Sequence, residues 1–501
     1  MRVMVLGGTG VFGSRLAELL VRDGHDVLIA ARDLRRASAL AERLGARAVR
    51  VDLGADLAPL WAVGPEAVVD AAGPFHLYGG DPWRLARACI ARRIAYLDLA
   101  DEADFCTGIA ALDAEAKAAG VFALSGVSSV PALTSAVVAA LAEGFDAIEE
   151  IDTAILPGNR APRGRSVVSA ILARTGTTHR LWQGGRWEVL RGWSDPKPYR
   201  LAPGLVRRGY LIEVPDTRLF PARFGARSVS FRAGLELGLM NSGLAAMSRL
   251  RAATGLAPGR CSVALIRALA LLLRPFGSAR GGMVVRLTGR RGGAMTRAEW
   301  RLIAGAGEGP FVPAVAARAI LRAADRIAPG ARPALAELPL SAFEAAMADL
   351  RIATEREAAP APPLIPGHLG RDFDLLPTPV RAVHDWAGCL RLEGRAEVTR
   401  GRGPVGRLLV AIFRFPPEAR DIALTVTKRT RPGGEVWERD FGGRRFRSVL
   451  ARDGQGLSER FGPFSFRLGL GVVDGALQFP VTRGRLGPLP LPRVLLPESR
   501  A

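Results

Sequence analysis

Two patterns of apolar residues alternate over the first 130 positions of the chain. Short apolar runs lie near positions 2–6, 26–31, 48–52, 67–71, 94–98 and 121–125. Stretches with apolar residues at helical spacing separate them, such as the stretch holding Phe12, Leu16, Leu19 and Leu20. Continuous apolar runs of this kind are typical of strands that are buried on both faces. We therefore predict an α/β fold with a doubly wound parallel sheet for residues 1–140.

A cluster of glycines follows the first predicted strand directly. Gly8, Gly10 and Gly13 fit the pattern G-x-G-x-x-G, placed between a strand and a helix. In that setting backbone N–H groups and the positive end of the helix dipole face a pyrophosphate. A glycine turn without a ligand is the alternative, and the order of strand, motif, helix and next strand disfavours it. The sequence predicts a dinucleotide-binding Rossmann domain.

Arginines follow the second predicted strand, Asp26–Arg32. Arg32 stands about where a protein that selects NAD places an acidic residue on the ribose 2′-hydroxyl, and Arg35 and Arg36 come within one turn. A guanidinium binds the 2′-phosphate of NADP with two hydrogen bonds. NADP is therefore favoured as the cofactor. Asp33 leaves NAD open, and an exposed helix face explains Arg35 and Arg36 equally well.

The predicted cofactor site includes residues after the first four strands. The Ala71–Phe75 turn follows the fourth strand at its carboxyl end, where open α/β sheets bind ligands. The predicted cofactor-binding residues are Gly7, Gly8, Thr9, Gly10, Val11, Phe12, Gly13, Arg32, Arg35, Asp52, Ala72, Gly73 and Pro74.

Four polar residues near the ends of the fourth and fifth strands are the candidates for proton transfer. His76 and Tyr78 follow the fourth strand, and Asp98 and Glu102 follow the fifth. Each side chain can exchange a proton beside a carbon that gains or loses hydride. A turn hydrogen bond or a helix cap explains each of the four as well.

The pattern changes after about residue 140. Residues 141–354 mix strand-like and helical stretches and predict an α+β domain of the substrate-binding or dimerisation type, in which a helix at Pro313–Ile327 returns to the first domain. The Ala/Pro-rich segment 355–366 predicts a linker. Residues 367–501, with alternating strands such as Cys389–Val398 and recurrent glycine turns, predict a separate, mostly β domain.

Charge and cysteine content exclude some classes of protein. The net charge of +21 comes almost entirely from arginine. The excess of positive charge lies outside residues 1–150, which hold 14 basic and 20 acidic side chains. Aromatic residues make up only 6% of the chain, so a nucleic-acid partner is not predicted. The four cysteines lack metal-ligand spacing, and neither a metal site nor a disulfide framework is expected.

The location of the protein follows from its apolar segments. Because the first strand occupies residues 1–6, we expect no signal peptide, and the protein is expected in the cytoplasm. The longest apolar segment, Ser262–Phe276, contains Arg267 and Arg274 and predicts a buried or membrane-surface helix. Peripheral membrane contact and a homodimer stay open.

Several motifs together resemble a known family. Asp70-Ala-Ala-Gly-Pro-Phe75 with Tyr78, then Tyr96-Leu-Asp98, then Gly126-Val-Ser-Ser-Val-Pro131 are similar in order and spacing to the NADP-binding domain of saccharopine dehydrogenase-like proteins. The middle segments Val214–Asp216 and Ser228–Phe231 are similar to the second domain of that family. The family's usual Gly-Glu pair after the Tyr-x-Asp element is replaced by Asp101-Glu102.

The remainder of the chain carries a second likeness. From about residue 368 it resembles a domain family of unknown function that is often appended to such Rossmann proteins. The residues that carry the likeness are Leu376, Pro377, His384, Gly433–Arg439, Glu459 and Arg460.

Three functions are compatible with these motifs. The first is an NADP-dependent oxidoreductase that acts on a small molecule between the first two domains. The second is an NADP-bound scaffold or sensor without turnover, and the third is a membrane-surface oxidoreductase for a lipophilic substrate. A short-chain dehydrogenase, whose turn Gly7, Gly10 and Gly13 also fit, is disfavoured because no tyrosine has a lysine four residues later.

Overall fold

The computed structural model describes residues 1–162, 164–256, 260–399, 416, 418–431, 433–454 and 456–492. Among these residues, no helix is both long enough and apolar enough to cross a membrane.

The first region is a parallel sheet with helices on both faces. Its strands are β1 (Arg2–Leu6), β2 (Asp26–Ala31), β3 (Arg47–Arg50), β4 (Ala67–Asp70), β5 (Ala95–Asp98) and β6 (Phe122–Ser125). Its helices are α1 (Val11–Arg22), α2 (Leu34–Leu44), α3 (Ala58–Trp61), α4 (Arg84–Ile90), α5 (Ala103–Gly108), α6 (Asp113–Ala119) and α7 (Thr134–Ala142). The strand order β6-β5-β4-β1-β2-β3 reverses direction between β1 and β4.

Burial explains why these segments form the predicted elements. Val3, Val5 and Ile29 face one layer of helices and are completely buried, while Met4 and Leu28 on the other face are equally buried. Both sides of each strand therefore contribute to a core, which a continuous apolar run requires. The predicted doubly wound parallel sheet is confirmed.

The second region contains a mixed sheet. The strands of this region are β7 (Ala147–Leu156), β8 (Thr178–Gln183), β9 (Arg186–Arg191), β10 (Ser194–Ala202), β11 (Leu205–Leu211), β12 (Ser228–Ala233), β13 (Gly281–Arg291), β14 (Ala294–Ala304), β15 (Gly330–Pro333) and β16 (Ile352–Pro360). Its helices are α8 (Arg165–Arg174), α9 (Pro215–Phe224), α10 (Gly238–Thr254), α11 (Arg260–Leu272), α12 (Val312–Arg322) and α13 (Leu340–Ala346). The sheet order is β10-β11-β12-β7-β13-β14-β16, with β12 and β7 parallel. β8 and β9 form a separate two-stranded sheet.

Helix α12 returns to the first region, as the sequence predicts. It packs on α1, and Arg318, almost completely buried, pairs with Asp23 at the end of α1 with an N···O distance of 2.7 Å. Strand β15 then pairs in parallel with β6 and becomes the seventh strand of the first sheet. The two regions are therefore joined by shared core and shared sheet.

The predicted linker at 355–366 is wrong in its first half. Residues 352–360 form β16, which pairs along its full length with β14. The strand ends at Pro360, the first proline of the Ala/Pro-rich segment. β16 is an edge strand, and an edge strand tolerates an exposed, weakly apolar sequence because only one side pairs. The division of the chain into domains stays a prediction.

The third region is an antiparallel sheet covered by short helices. The helices are α14 (Pro366–Leu369) and α15 (Thr378–His384). The strands are β17 (Cys389–Val398), β18 (Ala419–Arg431), β19 (Gly434–Phe441), β20 (Arg444–Asp453), β21 (Gly456–Phe461), β22 (Phe464–Leu468), β23 (Gly471–Val473), β24 (Ala476–Gln478), β25 (Val481–Leu486) and β26 (Leu489–Pro490). Eight of these strands form one sheet, which confirms the mostly β prediction. Residues 493–501 of the predicted domain lie outside the described residues.

Candidate active site

The candidate site lies where the first sheet reverses its strand order. β1 and β4 are neighbours, and the chain leaves their carboxyl ends in opposite directions, which opens a crevice at that point. The turns after the two strands touch, since a Cβ on Gly7 would lie 2.5 Å from the Cα of Ala72. The glycine motif and the Ala71–Phe75 turn therefore border one crevice.

The glycine turn leaves room for a phosphate. Gly7 has φ +64°, and a Cβ on Gly13 would lie 2.4 Å from the carbonyl oxygen of Gly7, so helix and strand meet closely. No side chain caps the start of α1 at Gly10, and no acidic residue lies in its first turn, so the first backbone N–H groups of the helix have no side-chain partner. This uncapped, glycine-lined helix start fits the pyrophosphate of a dinucleotide.

The end of β2 presents cations without a competing carboxylate. Arg32 and Arg35 are exposed, and within the described residues neither forms an ion pair. Asp33 caps α2 and accepts a hydrogen bond from the backbone N–H of Arg36 at 3.2 Å. Asp33 therefore already has a structural role, while Arg32 is available for an anionic group.

Asp70 ends β4 and holds Tyr78 in place. The carboxylate is completely buried, and it accepts hydrogen bonds from the Ala72 N–H at 2.9 Å and from the Tyr78 hydroxyl at 3.0 and 3.1 Å. Burial raises the pKa of Asp70 to about 6. Burial and the charge of Asp70 raise the pKa of Tyr78 well above its usual value, so the phenol keeps its proton.

Asp98 lies beside Asp70 on the next strand. The two residues are directly paired in the parallel register of β4 and β5, and both are completely buried. Oδ1 of Asp98 accepts from the N–H groups of Ala100 and Gly126 and from the Ser125 hydroxyl at 2.9 to 3.0 Å. Oδ2 has no hydrogen-bond partner among the described residues. Burial raises the pKa of Asp98 to about 7.

A third buried carboxylate comes from the second region. Asp216, in the first turn of α9, is 1% exposed, and both of its oxygens lack hydrogen-bond partners within the described part of the chain. Burial raises its pKa to about 7. α9 packs on α5, and the negative charges of Asp98 and Asp216 both raise the pKa of the buried Cys106 thiol in α5, after burial itself.

The other predicted site residues lie nearby in different roles. His76 is exposed in a short helical turn, and Glu102 caps α5 by accepting from the Phe105 N–H at 2.6 Å. Asp52 is exposed and accepts from the Gly54 N–H at 3.0 Å. Of the four candidates for proton transfer, Tyr78 and Asp98 thus belong to the cluster around Asp70, whereas Glu102 is a helix cap and His76 is exposed.

Asp70 and Asp216 are absent from the predicted site residues. Both belong to motifs that the sequence shows, Asp70-Ala-Ala-Gly-Pro and Val214-Pro-Asp216. The signal that identifies Asp70 is a carboxylate at the last position of an otherwise apolar strand, next in register to Asp98. We define the Asp98 cluster as Asp70, Tyr78 and Asp98, and Asp216 as a separate buried carboxyl that shares the neighbour Cys106 with Asp98.

Fold and glycine turn define a dinucleotide-binding protein with a Rossmann first domain. Residues 3–124 match the family model for the saccharopine dehydrogenase NADP binding domain. Residues 376–501 match the model for a domain of unknown function, DUF4166. The amino-terminal region thus matches the NADP-binding domain of saccharopine dehydrogenase, which fits a nicotinamide dinucleotide as the cofactor. No curated protein matches the chain.

Solved structures share the fold at low identity. The chain is similar to apo saccharopine dehydrogenase (L-Glu forming) from Saccharomyces cerevisiae, with a TM-score of 0.53 and 15% identity over 71% of this chain and 99% of that one. It is also similar to homospermidine synthase from Legionella pneumophila in complex with NAD, with a TM-score of 0.50 and 12% identity over 72% of this chain and 92% of that one. These likenesses establish the shared fold.

Proposed function

We propose that this chain is an NADP-dependent oxidoreductase whose small-molecule substrate lies between the first sheet and α9. The observation that carries the proposal is the Asp98 cluster, which places two completely buried carboxyl groups on neighbouring strands beside the crevice of the dinucleotide-binding fold. Buried carboxyls with raised pKa values are typical of sites that transfer protons. The bound cofactor supplies the nicotinamide that exchanges hydride with the substrate.

Tyr78 is the proposed proton donor. Its hydroxyl lies 3.0 Å from Asp70 Oδ2. As the phenol gives its proton to the substrate, a protonated Asp70 gives its own proton to the phenol, so that Asp70 ends ionised and Tyr78, whose pKa is raised, stays neutral. Asp70 fixes the direction of the phenol, which makes it a positioning residue. Asp98, one of whose oxygens has no partner among the described residues, is the proposed reservoir that gains or loses a proton near pH 7.

A preference for NADP over NAD belongs to the same proposal. Arg32 is exposed at the end of β2, and Asp33 is engaged as a helix cap. A paired contact between a guanidinium and a 2′-phosphate contributes about 1.5–3 kcal/mol, which is roughly tenfold to a hundredfold in affinity. We therefore expect Arg32→Ala to weaken NADPH binding by that factor while NADH binding stays nearly the same.

The test is a fluorescence titration of both cofactors with wild type, Arg32→Ala and the control Arg43→Ala. Arg43 is also exposed and lies in the last turn of the same α2 helix, so its loss changes the charge equally and should leave both affinities unchanged. Equal affinities of the wild type for NADPH and NADH would contradict the preference. Tight NADPH binding without turnover of any carbonyl or imine substrate would favour the scaffold function.

A further inference from the structure

Helices α10 and α11 expose an unusual number of large apolar side chains. Seventeen such side chains are exposed in the described part of the chain, and seven of them lie between residues 239 and 276. They are Leu239, Leu250, Leu256, Leu269, Leu271, Leu272 and Phe276, each 47 to 73% exposed. Leu244 of α10 and Ile266 of α11 belong to one hydrophobic cluster, so the two helices lie side by side. We call the seven exposed side chains on these helices and their adjoining turns the α10–α11 face. The sequence predicts a buried or membrane-surface helix at Ser262–Phe276, and the described side chains there are not buried.

Helix α10 buries two polar side chains beside the apolar Leu244, and it exposes two leucines. A surface helix normally buries its apolar side and turns its polar side to water. Here Asn241 and Ser248 are buried, with hydrogen bonds to the backbone of Leu235 and Gly192, while Leu239 and Leu250 point outward. Because the buried polar side chains form hydrogen bonds, they fix the orientation of the helix. The two leucines are therefore held at the protein surface.

Positive charge accompanies the exposed leucines. Residues 237–280 contain six arginines and no aspartate or glutamate. Arg249, Arg274 and Arg280 are exposed, and within the described residues none of the three forms an ion pair. Apolar side chains flanked by unpaired cations match the headgroup and acyl layers of an anionic bilayer.

We propose that the α10–α11 face binds the surface of an anionic membrane. A second copy of the chain is disfavoured as the partner, because a two-fold interface would place this arginine-rich, acid-free segment against itself. α11 has 13 residues, about 20 Å of helix, which is shorter than the roughly 30 Å hydrocarbon layer, so the helix would lie in the interface.

The α10–α11 face is connected to the cofactor crevice. Asn159 donates from Nδ2 to the Leu273 carbonyl at 2.6 Å, and Arg160 donates to the Pro275 carbonyl at 3.2 Å. A few residues later, a Cβ on Gly164 would lie 3.4 Å from the side chain of Val11. Membrane binding would therefore place the crevice close to the lipid surface.

Co-sedimentation with vesicles tests the proposal. Wild type should bind vesicles of phosphatidylglycerol and phosphatidylcholine in equal parts, bind pure phosphatidylcholine about tenfold less, and dissociate as salt is raised. The double variant Leu271→Asp/Leu272→Asp should lose about tenfold or more of the binding. Leu489→Asp, equally exposed in the third region, should bind like wild type. NADPH affinity in solution should not change in any variant, so the result is independent of the proposed function.

Three results of the vesicle experiment would contradict the membrane proposal. Absence of binding to the anionic vesicles, equal binding to both vesicle types, or unchanged binding of the double variant would each overturn the proposal. Light scattering with size-exclusion chromatography tests whether a second copy of the chain occupies the face instead. A wild-type dimer that the double variant converts to a monomer would assign the face to a second copy and likewise overturn it.

Discussion

Asp98 and Asp152 are both completely buried aspartates on sheet strands, yet their surroundings are opposite. Asp98 lies beside Asp70, and one of its oxygens has no hydrogen-bond partner among the described residues. Asp152, on β7, lies 2.7 Å from Lys197 Nζ and 2.8 Å from Arg232 Nη1, with the Arg286 guanidinium at 3.7 Å.

The surroundings set the protonation of the two groups. Burial alone would raise both pKa values. At Asp98 it prevails and raises the pKa to about 7, whereas at Asp152 the cations Lys197, Arg232 and Arg286 lower the pKa well below its usual value. The contrast separates a carboxyl that can exchange a proton near neutral pH from a carboxylate that holds a sheet together.

The largest expected effect is on turnover. Tyr78→Phe keeps the ring packing against Phe75 and Phe105 but removes the hydroxyl. General acid–base assistance contributes about 10²–10⁴-fold, so turnover should fall by that factor while NADPH affinity changes less than about threefold. Steady-state kinetics and a cofactor titration of the same variant measure both. Near-normal turnover would place the proton donor elsewhere.

Asp152→Asn should produce the next largest effect, on stability. The change leaves Lys197, Arg232 and Arg286 buried together without their shared anion, and removing one partner of a buried ion pair costs about 3–5 kcal/mol. Urea unfolding at pH 7 measures the loss. Asp453→Asn, which breaks an exposed pair with Arg467, is the control and should cost less than about 1 kcal/mol. Equal losses of stability in the two variants would contradict the structural role of Asp152.

Asp98→Asn, in contrast to Asp152→Asn, should raise the stability of the protein at alkaline pH. Because the folded state binds the Asp98 proton more tightly than the unfolded chain does, its contribution to stability is full below the ordinary carboxyl pKa and is lost as pH rises through about 7. The uncharged amide avoids that loss, so the variant should be roughly 1–3 kcal/mol more stable than wild type at pH 8. Thermal unfolding between pH 5 and pH 8 shows the change in slope, and Asp453→Asn should keep the wild-type slope.

The sequence predicts the first region well and the second less well, for a physical reason. Strands buried on both faces require apolar runs, and these mark β1 to β6 directly. β16 pairs on one side only and is largely exposed, so its charged sequence satisfies no such requirement and resembles a linker.

The candidate site could likewise be predicted only in part from the sequence. The glycine turn, Tyr78 and Asp98 are local to strand ends, where the direction of a parallel sheet places them together. The neighbouring positions of Asp70 and Asp98 depend on β4 pairing with β5, and the approach of Asp216 depends on α9 docking against α5, more than 100 residues away in the chain. Periodicity contains no information on such docking.

The central claim is that the Asp98 cluster holds a proton near neutral pH while Asp152 does not, and carboxyl-carbon NMR on protein labelled at aspartate tests it most directly. The signal of Asp98 is identified by its loss in Asp98→Asn, and it is followed from pH 4 to pH 9. We expect a midpoint at about 7 for Asp98 and an ionised signal throughout for Asp152. An Asp98 midpoint near the ordinary carboxyl value of about 4 would contradict the account.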